Sequence, residues 1–126
     1  MRLLIGLSLI LILFLVFGIY TTNGTLVLIN EMRGNIAEIK DQINDEHWLV
    51  VQQNVAKLQK RWNEIQDRWD FYILHHEIES VEMLIARLVS YVSAKDKVTG
   101  LAELAALDMQ LSHIYRKEIF NMQNVF

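Results

Sequence analysis

Residues 48–69, "WLVVQQNVAKLQKRWNEIQDRW", contain the clearest structural pattern in the chain. Bulky apolar residues recur there at alternating steps of three and four, a spacing that places them on one face of an α-helix. They are Trp48, Val51, Val55, Leu58, Trp62, Ile65 and Trp69. Polar residues fill most positions between them. The stretch therefore predicts an amphipathic helix whose apolar face other helices must cover.

The same spacing continues toward the C-terminus in two further tracts. The first consists of Phe71, Leu74, Ile78, Val81, Ile85, Leu88 and Val92. The second consists of Leu101, Leu104, Leu107, Leu111 and Ile114, with Tyr115 beside it. A change of phase after Trp69 predicts a bend or break at residues 67–70, with one long bent helix as the alternative. "SAKDKVTG" at 93–100 predicts a loop, after which the last helix begins near Leu101 with Thr99 as its cap.

A narrower apolar seam precedes the quoted stretch. Its members are Ile29, Met32, Ile36, Ile39 and Ile43. The seam is out of phase with the next one, and "NDE" at 44–46 predicts a stop followed by a new helix. Because the seam is narrow, as in a coiled coil, these five residues are candidates for binding a partner. Packing on the chain's own bundle is the alternative.

Residues 3–20, "LLIGLSLILILFLVFGIY", form a run of 18 residues without a charged side chain. That length is close to the ~20 residues that span a bilayer as a helix. The run exceeds the apolar core of a cleavable signal, about 7–15 residues, and no small-x-small site follows it. We therefore expect an uncleaved anchor, and a cleaved, secreted domain is the alternative. The only positive flank is Arg2 with the terminal amine, which predicts a cytoplasmic N-terminus and an extracytoplasmic C-terminal domain.

The predicted fold is all-α, with a transmembrane helix, a juxtamembrane helix and a small antiparallel helical bundle. No strand pattern competes, and the chain has no proline, which is costly inside long helices. "TTNGT" at 21–25 predicts a break after the membrane run. The predicted domains are an anchor at 1–22, a juxtamembrane helix at 23–44 and a bundle at 45–126.

Composition narrows the functional classes. Beyond residue 20 the chain carries 11 Lys and Arg against 15 Asp and Glu, so it lacks the basic face of a nucleic-acid-binding protein. It has no cysteine, which excludes disulfides, thiolate metal sites and cysteine nucleophiles. No phosphate-binding glycine loop is present. These features predict neither a cofactor nor an enzyme.

The stretch "ILHHEIES" at 73–80 is the one candidate for chemistry. His75 and Glu79 are four residues apart and His76 and Glu79 are three apart, so either pair could share a helix face. A helical wheel places His75 at the edge of the core and His76 on the polar side. Each pair supplies two ligands, whereas a catalytic zinc site needs three and a structural site four. We therefore expect solvated or hydrogen-bonded histidines, with a metal-binding or hydrolytic site at these three residues as the alternative.

The order of these features resembles a family of small bacterial membrane-anchored proteins known as a domain of unknown function. The matching residues are Trp62, Trp69, "HHEI" at 75–78, "ARLVSYV" at 86–92, Asp96 and "NVF" at 124–126. Members of that family are often encoded beside a multi-span membrane protein. The resemblance therefore implies a membrane-protein partner, and it brings no catalytic residues.

Together, these patterns predict a membrane-anchored extracytoplasmic helical protein. We expect it to be a non-catalytic interaction subunit whose contacts are the lipid bilayer and either a membrane-protein partner or a second copy of itself.

Overall fold

The computed structural model describes the backbone of residues 1–69 and 75–125, and their side chains except those of residues 19, 21–25, 68–69 and 121–125. Nearly all of the described residues belong to four helices: α1 (Arg2–Asn44), α2 (Trp48–Trp69), α3 (His75–Ser93) and α4 (Lys97–Val125). The described ranges contain no strand. The all-α prediction is therefore confirmed. The predictions for Asp70, Phe71, Leu74 and Phe126 lie outside the described residues.

Helix α1 is continuous from the apolar N-terminal run into the isoleucine seam. The predicted break at "TTNGT" is wrong, because residues 21–25 are helical. One glycine inside a helix costs only about 1 kcal/mol relative to alanine, which strong helical segments on both sides can absorb. The predicted boundary between residues 22 and 23 is therefore not a break in the backbone.

The first reversal of the chain occurs where the sequence predicts it. Helix α1 ends at Asn44, and the His47 N–H donates to the Gln42 carbonyl at 3.0 Å. Glu46 has a φ of 58°, in the left-handed region that commonly terminates a helix. The three residues 45–47 connect α1 to α2, and so short a connection makes the two helices antiparallel neighbours.

The second reversal is tighter than predicted. Helix α4 begins at Lys97 rather than near Leu101, so the loop shrinks to residues 94–96. Asp96 is the cap in place of Thr99: its Oδ1 accepts the Thr99 N–H at 3.1 Å. A carboxylate in this position satisfies a free N–H group of the first turn and interacts favourably with the helix dipole.

The helices form a four-membered bundle in which each helix packs against two neighbours. The contacting pairs are α1 with α2, α2 with α3, α3 with α4, and α4 with α1, while the diagonal pairs make no close backbone approach in the described ranges. The buried core consists of the predicted seams, side by side. Its members are Ile29, Met32, Ile36, Ile39, Ile43, Val51, Val55, Leu58, Trp62, Ile65, Ile78, Val81, Ile85, Leu88, Val92, Leu104, Leu107, Leu111 and Ile114.

The isoleucine seam of α1 is part of this core. None of its five residues, Ile29, Met32, Ile36, Ile39 and Ile43, is more than 4% exposed. The seam therefore packs on its own bundle, which is the alternative that the sequence left open. The bundle includes residues 29–44, so the predicted division between a juxtamembrane helix and a bundle starting at residue 45 does not hold.

Candidate functional site

The two histidines at the start of α3 lie on the surface. His75 Nε2 is 3.1 Å from Glu79 Oε1, and the two side chains are 85% and 63% exposed. The prediction that His75 lies at the edge of the core is wrong, because its side chain is exposed while Glu77 and Ile78 of the same turn are buried. His76 is exposed, as expected.

His75 and Glu79 provide two metal ligands, and the described residues around them supply no third. In the part of the chain that the structure describes, no three His, Cys, Asp or Glu side chains converge well enough to hold a metal ion. The His75–Glu79 contact is an exposed pair one helical turn apart. Such pairs contribute a few tenths of a kcal/mol to helix stability.

A polar cluster that the sequence reasoning missed lies between α3 and α4. Glu77 is only 4% exposed, and its Oε1 accepts from Lys117 Nζ at 3.0 Å. His113 Nε2 is 3.9 Å from the same oxygen. The signal in the sequence is weak. Glu77 directly precedes a core residue, but only the packing of α4 reveals that Lys117 and His113 face it.

Glu118 lies close to this cluster. Burial raises the pKa of Glu118, the nearby Glu77 carboxylate raises it further, and Lys117 acts in the opposite direction. Two acids and two bases thus gather where α3 begins and α4 approaches its end. Their arrangement links these two helices through charge-assisted contacts.

The face formed by α1 and α4 contains a groove with a volume of about 590 Å³. Its walls combine small and apolar residues with a few polar ones. They are Arg33, Gly34, Ile36, Ala37, Lys40, Asn44, Leu101, Leu104, Ala105 and Asp108. Arg33 Nε and Asp108 Oδ1 are 3.1 Å apart and join the two helices across the groove. The groove exists because Gly34, Ala37 and Ala105 have too little side chain to fill the space between the helices.

The first part of α1 is not covered by any other part of the chain that the structure describes. Its described leucine, isoleucine, valine and phenylalanine side chains between Leu3 and Phe17 are each at least 40% exposed. Among the side chains that the structure describes in α1, the first buried one is Ile29. Within the described residues, no helix meets the combined requirements of length and apolarity for crossing a membrane.

A family model for a domain of unknown function, DUF4363, matches residues 19–125, and the chain belongs to that family. The match covers the whole bundle and begins in the middle of α1. No curated protein and no solved structure matches the chain. The predicted resemblance to an uncharacterised family is thereby confirmed at that level, while the anchor and the partner that the resemblance implies stay predictions.

Proposed function

Starting from membership of that family, we propose that the chain is a membrane-anchored interaction subunit: residues 3–20 hold it in a bilayer, and the helical bundle presents surfaces to other membrane proteins. The proposal assigns no reaction to the chain. The observation that carries it is the contrast along α1. One continuous helix has an exposed apolar surface on all sides at its start and supplies the bundle core from Ile29 to Ile43.

Physical chemistry favours a cover for the first part of α1. A helix that is apolar all round is stable where its surroundings are apolar, either inside a large protein or in lipid. Helical residues 3–20 extend about 27 Å at 1.5 Å per residue, close to the ~30 Å hydrocarbon core of a bilayer. This length is that of the full sequence run, including Ile19, whose side chain lies outside the described residues.

The continuity of α1 supports a bundle that lies close to the proposed bilayer. Since the helix passes from the apolar run into the core without a break, the bundle stands within a few turns of the proposed bilayer surface. The positive charge of Arg2 beside the apolar run supports a cytoplasmic location for that end of the helix, and with it an extracytoplasmic bundle. A helical domain fixed at this height suits lateral contact with other membrane proteins.

The anchor is tested by charging the middle of the apolar run. We expect the full chain to sediment with membranes after a carbonate wash, and the double variant Leu9→Arg with Leu13→Arg to lose at least half of that sedimenting fraction. Each arginine near the centre of a spanning helix costs about 2.5–3.5 kcal/mol of insertion free energy. The control is Leu49→Arg with Met83→Arg, which charges two exposed apolar positions of the bundle. Equal sedimentation of the two double variants would contradict the anchor.

The interaction role is tested by cross-linking the full chain in membranes before mild-detergent extraction, followed by mass spectrometry. We expect reproducible cross-links from bundle residues to a membrane protein or to a second copy of the chain. Cross-links confined to lipids or to the same molecule would argue against an interaction subunit.

A further inference from the structure

The register between α1 and α4 determines which part of α4 lies closest to the apolar run. Three polar contacts join these antiparallel helices: Lys97 Nζ donates to the Asn44 carbonyl at 3.1 Å, Arg33 Nε to Asp108 Oδ1 at 3.1 Å, and Asn30 Nδ2 to the Tyr115 hydroxyl oxygen at 3.4 Å. From the first contact to the third, the residue numbers fall along α1 and rise along α4. The C-terminal turns of α4 therefore lie beside the part of α1 that leads into residues 3–20.

Phe120 is an exposed aromatic residue in these turns. It follows Tyr115 by about 7.5 Å along α4, and Tyr115 is level with Asn30, about 15 Å from Tyr20 along α1. Phe120 is therefore about 7.5 Å from the level of Tyr20, where the apolar run ends. The side chains of Phe120 and Tyr20 are 61% and 79% exposed. The interfacial layer on each side of a bilayer core is about 5–8 Å thick, so an anchor at residues 3–20 would bring Phe120 to that layer.

Arg116 supplies a positive charge on the same side of α4. It precedes Phe120 by one helical turn, and both side chains are exposed. Arg116 Nε donates to the Ser112 carbonyl of its own helix at 3.4 Å. Among the described residues no carboxylate forms an ion pair with Arg116, since the nearby Glu77 is buried and bonds to Lys117. This end of α4 therefore presents an unpaired guanidinium beside an exposed ring.

We infer that Arg116 and Phe120 form a second contact between the chain and the bilayer, in which the phenyl ring lies among the lipid headgroups and the guanidinium pairs with a lipid phosphate. Aromatic side chains of membrane-bound helices are favourable at this depth, where apolar and polar surroundings meet. The planar guanidinium matches the oxygens of a phosphate. The inference rests on the proposed function, because the anchor must hold α1 before this end of the bundle meets the lipid surface.

A second contact would restrict the orientation of the bundle. A single spanning helix leaves the bundle free to tilt in several directions, whereas interfacial side chains set tilt and rotation. Helix α4 packs on one side of α1, so a lipid contact at its end sets the tilt toward that side. The same faces of the bundle are then presented to a partner in the membrane.

The contact is tested with spin labels, which single cysteines can carry because the chain has none of its own. The variants are Phe120→Cys and, as a matched control on the same helix, Val98→Cys, which is 79% exposed and about 33 Å further from the bilayer. Each labelled full-length chain is reconstituted into vesicles of phosphatidylcholine and phosphatidylglycerol. Collisions of the label with oxygen, which concentrates in lipid, are compared with collisions with a water-soluble nickel chelate. We expect an oxygen-to-nickel ratio at position 120 at least about five times that at position 98, because only position 120 is at the height of the lipid.

The role of Arg116 is tested in the Phe120→Cys background. Arg116→Glu should lower the ratio at position 120 at least about twofold, because the anionic lipid surface repels a carboxylate. Arg116→Gln removes the charge without adding another and should lower the ratio less. Lys40→Glu makes the same change of charge at an exposed position about 30 Å from Tyr20 along α1, and it should leave the ratio unchanged.

Equal ratios at positions 120 and 98 would overturn the inference, and so would a ratio at position 120 that neither substitution of Arg116 lowers. Circular dichroism checks that both Arg116 variants stay folded, as expected for an exposed side chain. A label at Leu11→Cys tests the anchor separately in the same vesicles. A high ratio at position 11 with equal ratios at 120 and 98 contradicts the second contact alone, whereas a ratio at position 11 as low as that at 98 contradicts the proposed function.

Discussion

The two ends of α1 have the same backbone and opposite surroundings. Between Leu3 and Phe17 the helix is apolar on every side, and its large side chains are exposed. Between Ile29 and Ile43 it has apolar residues on one face only, and those are buried. No break separates the two parts.

The comparison between these two parts of α1 shows that the width of the apolar face matters as well as the number of apolar residues. The width decides whether neighbouring helices can bury those residues. A single seam is satisfied by two neighbouring helices of the same chain. The surface that is apolar all round stays exposed between Leu3 and Phe17, and the proposed function assigns the bilayer as its cover. The comparison leads to three predictions, in order of decreasing effect.

The largest effect is expected from a charge in the buried part of α1. Ile39→Asp places a carboxylate at a site that is 0% exposed, and we expect it to lower the free energy of unfolding by about 4 kcal/mol or more. Leu11→Asp, at a site that is 59% exposed, should leave the unfolding of the bundle unchanged. Thermal unfolding of the full chain in mild detergent, followed by circular dichroism, measures both. Similar losses for the two variants would mean that the N-terminal part also packs on the bundle.

A smaller effect is expected at the polar cluster between α3 and α4. There the removal of one charged partner tests whether the bundle tolerates a buried carboxylate without it. Lys117→Met removes the direct partner of Glu77 and should cost about 2 kcal/mol, less than for a fully buried pair because Lys117 is partly exposed. The double variant Glu77→Leu with Lys117→Met should return to within about 1 kcal/mol of the original chain, since no unpaired carboxylate is left. Additive losses in this double-mutant cycle would show that the pair does not act as a unit.

The smallest effect is expected from replacing glycine by alanine, a substitution that can be made in both parts of α1. A Cβ added at Gly34 or at Gly18 meets no atom within 4 Å. Gly34→Ala should stabilise the bundle by about 0.5–1 kcal/mol, because glycine lowers helix stability and position 34 lies in the folded unit. Gly18→Ala should leave the midpoint of bundle unfolding in place. The midpoint of thermal unfolding is measured for both variants at low protein concentration, so that association between molecules does not affect it. An equally large shift for Gly18→Ala and Gly34→Ala would contradict the prediction that only position 34 lies in the folded bundle.

Much of the bundle follows from the sequence. Most of the seam residues of α2, α3 and α4 that the structure describes are buried as their spacing of three and four predicts, because a regular helix presents those positions on one face. The turn after Asn44 is predicted by a run of residues that stop helices. The start of α4 is predicted less well: either Thr99 or Asp96 can cap a helix, and the choice depends on how closely α3 and α4 approach.

Contacts between side chains of different helices are not predicted from the apolar spacing of any one helix. A helical wheel assigns Glu77 to the flank of α3 and Lys117 to the outside of α4, and only the packing of these two helices brings them to 3.0 Å.

The sequence by itself determined that the chain is helical, where its core residues lie and that its first residues form an apolar run, because periodicity and composition are local properties. The tertiary structure decided that the isoleucine seam belongs to the bundle, that the histidines stay on the surface and that α1 and α4 leave a groove between them. Those outcomes depend on which helices become neighbours. That choice is made by the summed burial of all four apolar faces, which no single stretch of sequence contains.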